Sequence, residues 1–328
     1  MRFSQPGRTL PALLLLAASG TGTGGLRAQS LPPYAAVNPV VSSRSGLMTQ
    51  PYLDPTPRWR FHVLVDYANS AELNERADGR TFVLDGEYLR ADLMLSRDVT
   101  RDIFVMASLG LEGAYDGFLD PFLNWYHDFI SLPVPARSED RPENKFANRI
   151  ELPNGTVIDR ERDGAFIGDL RVGAGWRMTR HLQTVLMLTL PTSTGPDGFG
   201  RGVVSTNLVT TARFPFARRW TWESTAGLGY TPRHETELKP FQNTTFGSVS
   251  SGLRWRFSGQ QAVFANVIYL SPQYHGTGFA ALDQREVTID FGGLFRIGNG
   301  PEWQVGITED LAPAGPALDL SFRIGVRY

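Results

Sequence analysis

What most constrains this chain is a double alternation. Apolar and polar residues alternate with period two along a dozen segments, and the connections between those segments alternate between short and long. Successive side chains of a strand point to opposite faces, so the first alternation gives each segment one apolar and one polar face. The segments cover residues 58–67, 81–96, 103–115, 166–177, 181–190, 203–214, 220–230, 245–257, 262–270, 286–297, 302–308 and 317–328. In the second, Leu89, Ala91, Leu93 and Leu95 oppose Tyr88, Arg90 and Asp92; in the fourth, Phe166, Leu170, Val172, Ala174 and Trp176 oppose Asp169, Arg171 and Arg177. Segment 262–270 is apolar on both faces, which leaves its register open.

The connections 96–102, 177–181, 215–219, 258–261 and 298–301 are short, whereas 69–80, 116–164, 191–202, 231–244, 271–285 and 309–316 are long. A soluble sandwich has no reason to obey that order. An outer-membrane barrel has one, because its periplasmic turns are short and its extracellular loops long. The expected fold class is therefore all-β, a transmembrane antiparallel up-and-down β-barrel of about 12 strands. With the chain entering from the periplasm, Trp59, Trp176, Phe214, Trp220, Trp222, Trp255, Phe257, Phe295, Trp303 and Tyr328 fall near periplasmic strand ends. Tyr67, Tyr115, Phe166 and Tyr230 fall near the outer ends, so loop length alone yields two aromatic girdles. The last segment alternates Leu318, Leu320, Phe322, Ile324 and Val326 with polar residues and stops on Tyr328, a strand suited to the barrel-assembly machinery. Outer-membrane lipids and that machinery are the expected partners.

Residues 1–28 read as a signal peptide: Arg2 and Arg8, an apolar run from Leu10 to Ala18, then small residues up to Ala28. Its removal takes out three arginines and shifts the formal charge from -1 to -4. No other run approaches the roughly 18 to 20 apolar residues of a membrane helix, in keeping with a mean hydropathy of -0.20. The absence of cysteine excludes disulfides and thiolate metal sites, and the lack of a basic cluster argues against nucleic acid. Residues 29–57, rich in Pro, Ser and small residues, show no period and read as an extended periplasmic lead-in, with entry into the barrel left open. The barrel itself spans 58–328.

Residues 69–87, 117–137 and 308–310 carry a family likeness. Asn38-Pro39, Asn69, Asp85-Gly86-Glu87, the run GFLDPFLNWYHDFISLP followed by Arg137, and Thr308-Glu309-Asp310 make the chain resemble an uncharacterised bacterial family, a domain of unknown function grouped with outer-membrane barrels. The likeness extends over nearly the whole mature chain and implies the fold; the family carries no established activity.

The candidate lumen and mouth constellation comprises His127, Arg137, Asp120, Glu309, Asp310, Arg171, Asp169, Arg254, Arg256 and Asp290. Inward charges of both signs either interlock across a narrow lumen or line a conducting pore, and neither sign prevails, so strong ion selectivity is not expected. The expected role is passive passage or binding of a small solute or lipid, or a structural part of the envelope. The alternative is a lipid-modifying enzyme of the phospholipase or deacylase type, with Ser271, His275 and His234 in outer loops. The five histidines form no ligand or triad spacing, so no catalytic residue, metal or cofactor is assigned. Within 116–164, Phe118, Phe122, Trp125, Phe129 and Leu132 recur at helical spacing. This stretch is expected to be a short helix at 117–132, packed on the barrel mouth or the headgroups or acting as a lid. Its loop should fold over the outer mouth and turn His127 and Arg137 inward.

Overall fold

A computed structural model describes residues 30–44, 48–130, 144–160, 164–311 and 320–328. The expected signal peptide, Leu132, Arg137 and the start of the last strand lie outside these residues. Twelve strands close a barrel: β1 (Arg60–Glu75), β2 (Thr81–Asp98), β3 (Ile103–Tyr115), β4 (Leu170–Arg177), β5 (Leu182–Leu190), β6 (Ser205–Pro215), β7 (Trp220–Tyr230), β8 (Thr245–Arg256), β9 (Gln261–Leu270), β10 (Glu286–Arg296), β11 (Glu302–Asp310) and β12 (Leu320–Arg327). Each pairs antiparallel with its sequence neighbours. Closure comes from β12 against β1, with Arg323 opposite Asp66 and Arg327 opposite His62. Among the described strands none of the twelve is an edge, so each backbone row has a partner on both sides over most of its length.

Period two decides the faces. Leu93, Leu95, Val105, Leu186, Val305 and Ile324 stand exposed on the outside, while Arg90, Asp92, Met94, Arg254 and Asp290 are buried inside. At the short-turn end the outer wall carries exposed Trp59, Trp176, Trp220, Trp255 and Tyr328, with Trp220 stacked on Trp255 at 6.0 Å and Phe214 on Trp222 at 5.5 Å. Phe166 departs from the expected pattern. It belongs to a separate pair, Phe166–Ile167, opposite Glu112 and Leu111, and the intervening Gly168 and Asp169 shift its parity so that it points inward and is 4% exposed.

β1 and β2 overshoot the rest at the long-loop end, and the upper part of β2 pairs with Ala147–Glu151, which continues into Val157–Asp159. These extensions and the loops form an apolar cap across the loop end, in which Phe82, Tyr88, Ile150, Phe199, Leu238 and Phe279 are buried together. The mouth is thus roofed by packed side chains.

Of residues 30–57, the expected lead-in whose entry into the barrel the sequence leaves open, the described ones, 30–44 and 48–57, lie in the lumen. Tyr34–Ala35 pairs with Met48–Thr49, and between them Pro39–Ser42 makes one helical turn capped by Asn38, whose Oδ1 accepts the Val40 N–H at 2.9 Å. The segment rises from the turn end, reverses near the cap and returns. Apart from Ser42, every described residue from 30 to 44 is buried. Its presence settles the register of β9, because one of the two apolar faces packs on it. Val263, Val267 and Tyr269 stand on the outside, whereas Ala262 and Phe264 pack on Leu31, and Ile268 and Leu270 on Tyr34 and Val41.

Candidate functional site

The lumen is the site, and the segment that fills it carries two charges, Arg44 and Asp54. They dock at opposite ends. Arg44 Nη2 donates to the Thr231 and Asn243 carbonyls at 3.2 and 3.1 Å, and the Thr231 hydroxyl returns a bond to the Arg44 carbonyl. Burial depresses the Arg44 guanidinium from its ordinary value. At the turn end Asp54 accepts both terminal nitrogens of Arg213, at 2.9 and 2.5 Å, a bidentate pair.

Next to that pair Asp98 collects the Arg60 and Arg177 guanidiniums at 2.6 and 2.7 Å and the Thr56 N–H at 2.7 Å. Gln183 clamps the returning strand from both sides, accepting from Leu53 N and donating to the Pro51 carbonyl. Thr211 donates to Gln50, Tyr52 donates to Thr179, and Arg177 Nε donates to the Leu53 carbonyl. Midway, Arg90 Nη1 reaches the Ala36 carbonyl at 2.9 Å while its Nε holds Asp92 at 2.8 Å. The Tyr34 hydroxyl donates to Glu286 at 2.9 Å; burial, then the neighbouring carboxylate, push that phenol well above its usual range. Side chains, rather than sheet pairing, therefore hold the segment to the wall.

The sequence-derived candidates do not converge on one point. Asp290 lies inside and shares Arg323 with Asp66, at 2.8 and 2.7 Å, across the seam where the barrel closes. Asp169 sits in the bend before β4 and holds Arg201 from the 191–202 loop, through both its backbone N–H and its guanidinium. Arg171 approaches Asp92 at 3.9 Å, and Arg254 donates to the Thr221 hydroxyl at 2.7 Å. Arg256 is half-buried at the turn end. Glu309 and Asp310, expected in a loop, are the last residues of β11; Asp310 faces inward near Glu286, and Glu309 falls on the outward parity.

Asp120 and His127 lie outside the barrel. The expected helix forms as α1 (Asp120–Ile130), but it rests on the outer wall, where Leu119 and Leu123 pack on Leu320 with Tyr67, Ile307 and Phe322 around them. Asp120 accepts from Asn69 at 3.0 Å and from Asn144 N at 2.6 Å. His127 shares the buried face with Leu123. His127, expected to turn inward at the mouth, instead faces the outer side of the wall, because Leu119 and Leu123 find their apolar cover on Leu320 there. Gly117, at φ +88°, makes the reversal that carries the chain onto that wall, and a Cβ there would strike the Glu87 side chain.

Residues outside the sequence-derived set do much of the holding: Arg213, Asp98, Asp54, Gln183, Arg201 and Glu87. The single acid in the Pro-rich run 51–57 is the available signal for Asp54. Among the described residues no three His, Cys, Asp or Glu side chains are grouped to hold a metal ion.

The same barrel occurs elsewhere. The chain is similar to the COG4313 outer membrane channel from Pseudomonas putida F1, with a TM-score of 0.54 and 12% identity over 85% of this chain and 98% of the other. It also matches the toluene transporter TodX of Pseudomonas putida (TM-score 0.40, 12% identity, 90% and 97% covered) and the NanC porin (0.45, 7%, 82% and 98%). At such identities the likeness concerns fold, and only the first has a score high enough to count. No curated protein matches the chain in sequence. A family model does: "Protein of unknown function (DUF3187)" matches residues 17–328, nearly the whole length, and the chain belongs to that family.

Proposed function

We propose that this protein is an outer-membrane channel for small polar solutes, exported by the signal at 1–28 and held shut at rest by residues 30–57. One observation carries the reading: the lumen is filled by a single segment of the same chain, attached by side-chain bonds that can break without unpairing any barrel strand. Behind the segment the wall is polar. Ser205, Asn207, Ser248 and Ser321 are buried with side-chain oxygens that find no protein partner, groups suited to water or a hydroxyl-bearing solute. The mixed charges at Arg213, Glu223, Arg254 and Arg323 favour neither cations nor anions, so selectivity by sign should be weak. The likeness to an outer membrane channel supports the same reading.

The test is conductance in planar bilayers. The intact protein should be mostly closed, and a chain lacking 30–57, which also takes Val37 and Val40 out of the apolar cap, should open more often. Because the chain has no cysteine, Leu53→Cys on the segment and Gln183→Cys on the wall can be joined by a short reducible thiol cross-linker to lock the segment in place. Cross-linking should abolish openings and a reductant restore them. Equal conductance in the intact, locked and shortened proteins would sink the reading.

A further inference from the structure

The outer wall presents a feature that lumen function does not use. α1 and the two residues before it, Phe118 and Leu119, divide between two faces. Toward the wall point Leu119, Asp120, Leu123 and His127, all buried. Away from it stand Phe118, Phe122, Trp125 and Phe129, exposed by 68%, 42%, 59% and 75%. These rings form one surface: Phe122 lies 5.8 Å from Trp125, and Trp125 lies 5.8 Å from Phe129. The surface continues onto the barrel, with Phe122 6.2 Å from Phe322 and Phe118 stacked on Tyr67 at 5.5 Å.

Polar bonds fix the helix in this orientation. Glu87 is an outward-facing carboxylate of β2, yet it is fully buried because the start of α1 covers it. It accepts the Phe118 and Leu119 N–H groups at 2.7 and 2.5 Å, together with the Tyr67 hydroxyl. Asn69 beside it donates to Asp120. Lifting the helix would leave a carboxylate and an amide on the apolar outside of the wall, so the aromatic face cannot turn inward.

We propose that α1 is an interfacial foot whose aromatic face sits in the outer leaflet of the membrane, against lipid acyl chains just below the headgroups. The proposal rests on the membrane location argued above. Lipid is the occupant the geometry selects, because the face is continuous, through Phe322, with the exposed outward band of Ile324 and Val305. It also lies at the loop end of the wall, where amphipathic helices enter roughly 5–10 Å into the boundary between headgroup and chain. Phe and Trp are the side chains that suit this depth.

Trp125 provides the probe. The other six tryptophans, Trp59, Trp176, Trp220, Trp222, Trp255 and Trp303, all sit at the turn end. The full chain and its Trp125→Phe variant are placed in phosphatidylcholine vesicles carrying bromine either near the glycerol or near the chain end, and the difference in emission isolates Trp125. Bromine near the glycerol should at least halve that difference, bromine at the chain end should act less, and acrylamide in the water should act weakly. If the turn-end tryptophans are quenched by bromine while Trp125 yields only to acrylamide, the foot is refuted and the membrane reading stands. If Trp125 responds to neither quencher, a second copy or another protein covers it and the proposal falls. Loss of bromine quenching at all seven would overturn the membrane reading and the foot with it.

Discussion

Two segments of the chain lie against opposite faces of one wall, and they are built on opposite rules. The lumen segment, inside, is buried over 30–44, Ser42 apart, and again over 49–52, and is held by Arg44, Asp54 and side chains reaching from the wall. α1, outside, buries a few apolar residues and a pinned carboxylate while leaving its largest rings uncovered. A polar lumen rewards hydrogen bonds, whereas lipid accepts rings and rejects unpaired polar groups. The same chemistry that makes a soluble helix hide its aromatics leaves them outward here.

The comparison breaks most sharply where inner charge is left unpaired. Arg323→Met strands Asp66 and Asp290 together in the lumen and should cost about 3–5 kcal/mol in unfolding from detergent or vesicles. Replacing all three by apolar residues of similar size should recover most of that loss; failure to recover would mean that the triad does more than balance itself. On the outer face, Leu93→Arg or Ile324→Arg should cost roughly 2–4 kcal/mol by the same measurement, and Trp125→Arg, near the interface, roughly 0–1. A full penalty at Trp125 would place α1 deeper than argued.

Glu87→Gln keeps the shape of the pin but removes its charge from two N–H groups, at a cost of about 1–3 kcal/mol confined to α1. Faster proteolysis within 118–130, with the barrel intact on a gel, is the expected sign. An equally small effect on stability is expected at Asp54→Asn. Asp54 is partly exposed, and its pair with Arg213 should contribute about 1 kcal/mol or less to folding. The change should nonetheless raise the frequency of single-channel openings, because it loosens the turn-end latch; unchanged gating would place the latch elsewhere, at Asp98.

Most of the barrel is legible in the sequence, and the reason is local. A strand's faces follow from its own period, so Leu93, Arg90 and Ile324 take the sides that alternation assigns them. Phe166 fails because Gly168 and Asp169 break the strand, and periodicity carries no notice of a break. Asp169, Arg171, Arg254 and Asp290 were legible as inward residues, whereas Asp120, His127 and Glu309 were not placed by pattern, and the partners were hidden throughout: Asp169 finds Arg201 across a loop, and Asp290 finds Arg323 two strands away. Pairing depends on which residues reach the same height in the lumen, a property of closure and stagger.

The sequence by itself determined about twelve strands, the two faces of most of them and the end at which the loops gather, since period and connection length can be counted along a chain. The tertiary structure decided what has no period: that residues 30–57 enter the lumen, that α1 lies outside with its rings uncovered, and which apolar face of β9 turns inward. Each of these depends on the surface standing opposite. For β9 that surface is Leu31, Tyr34 and Val41, a segment some two hundred residues away in the chain, and no local pattern could place it there.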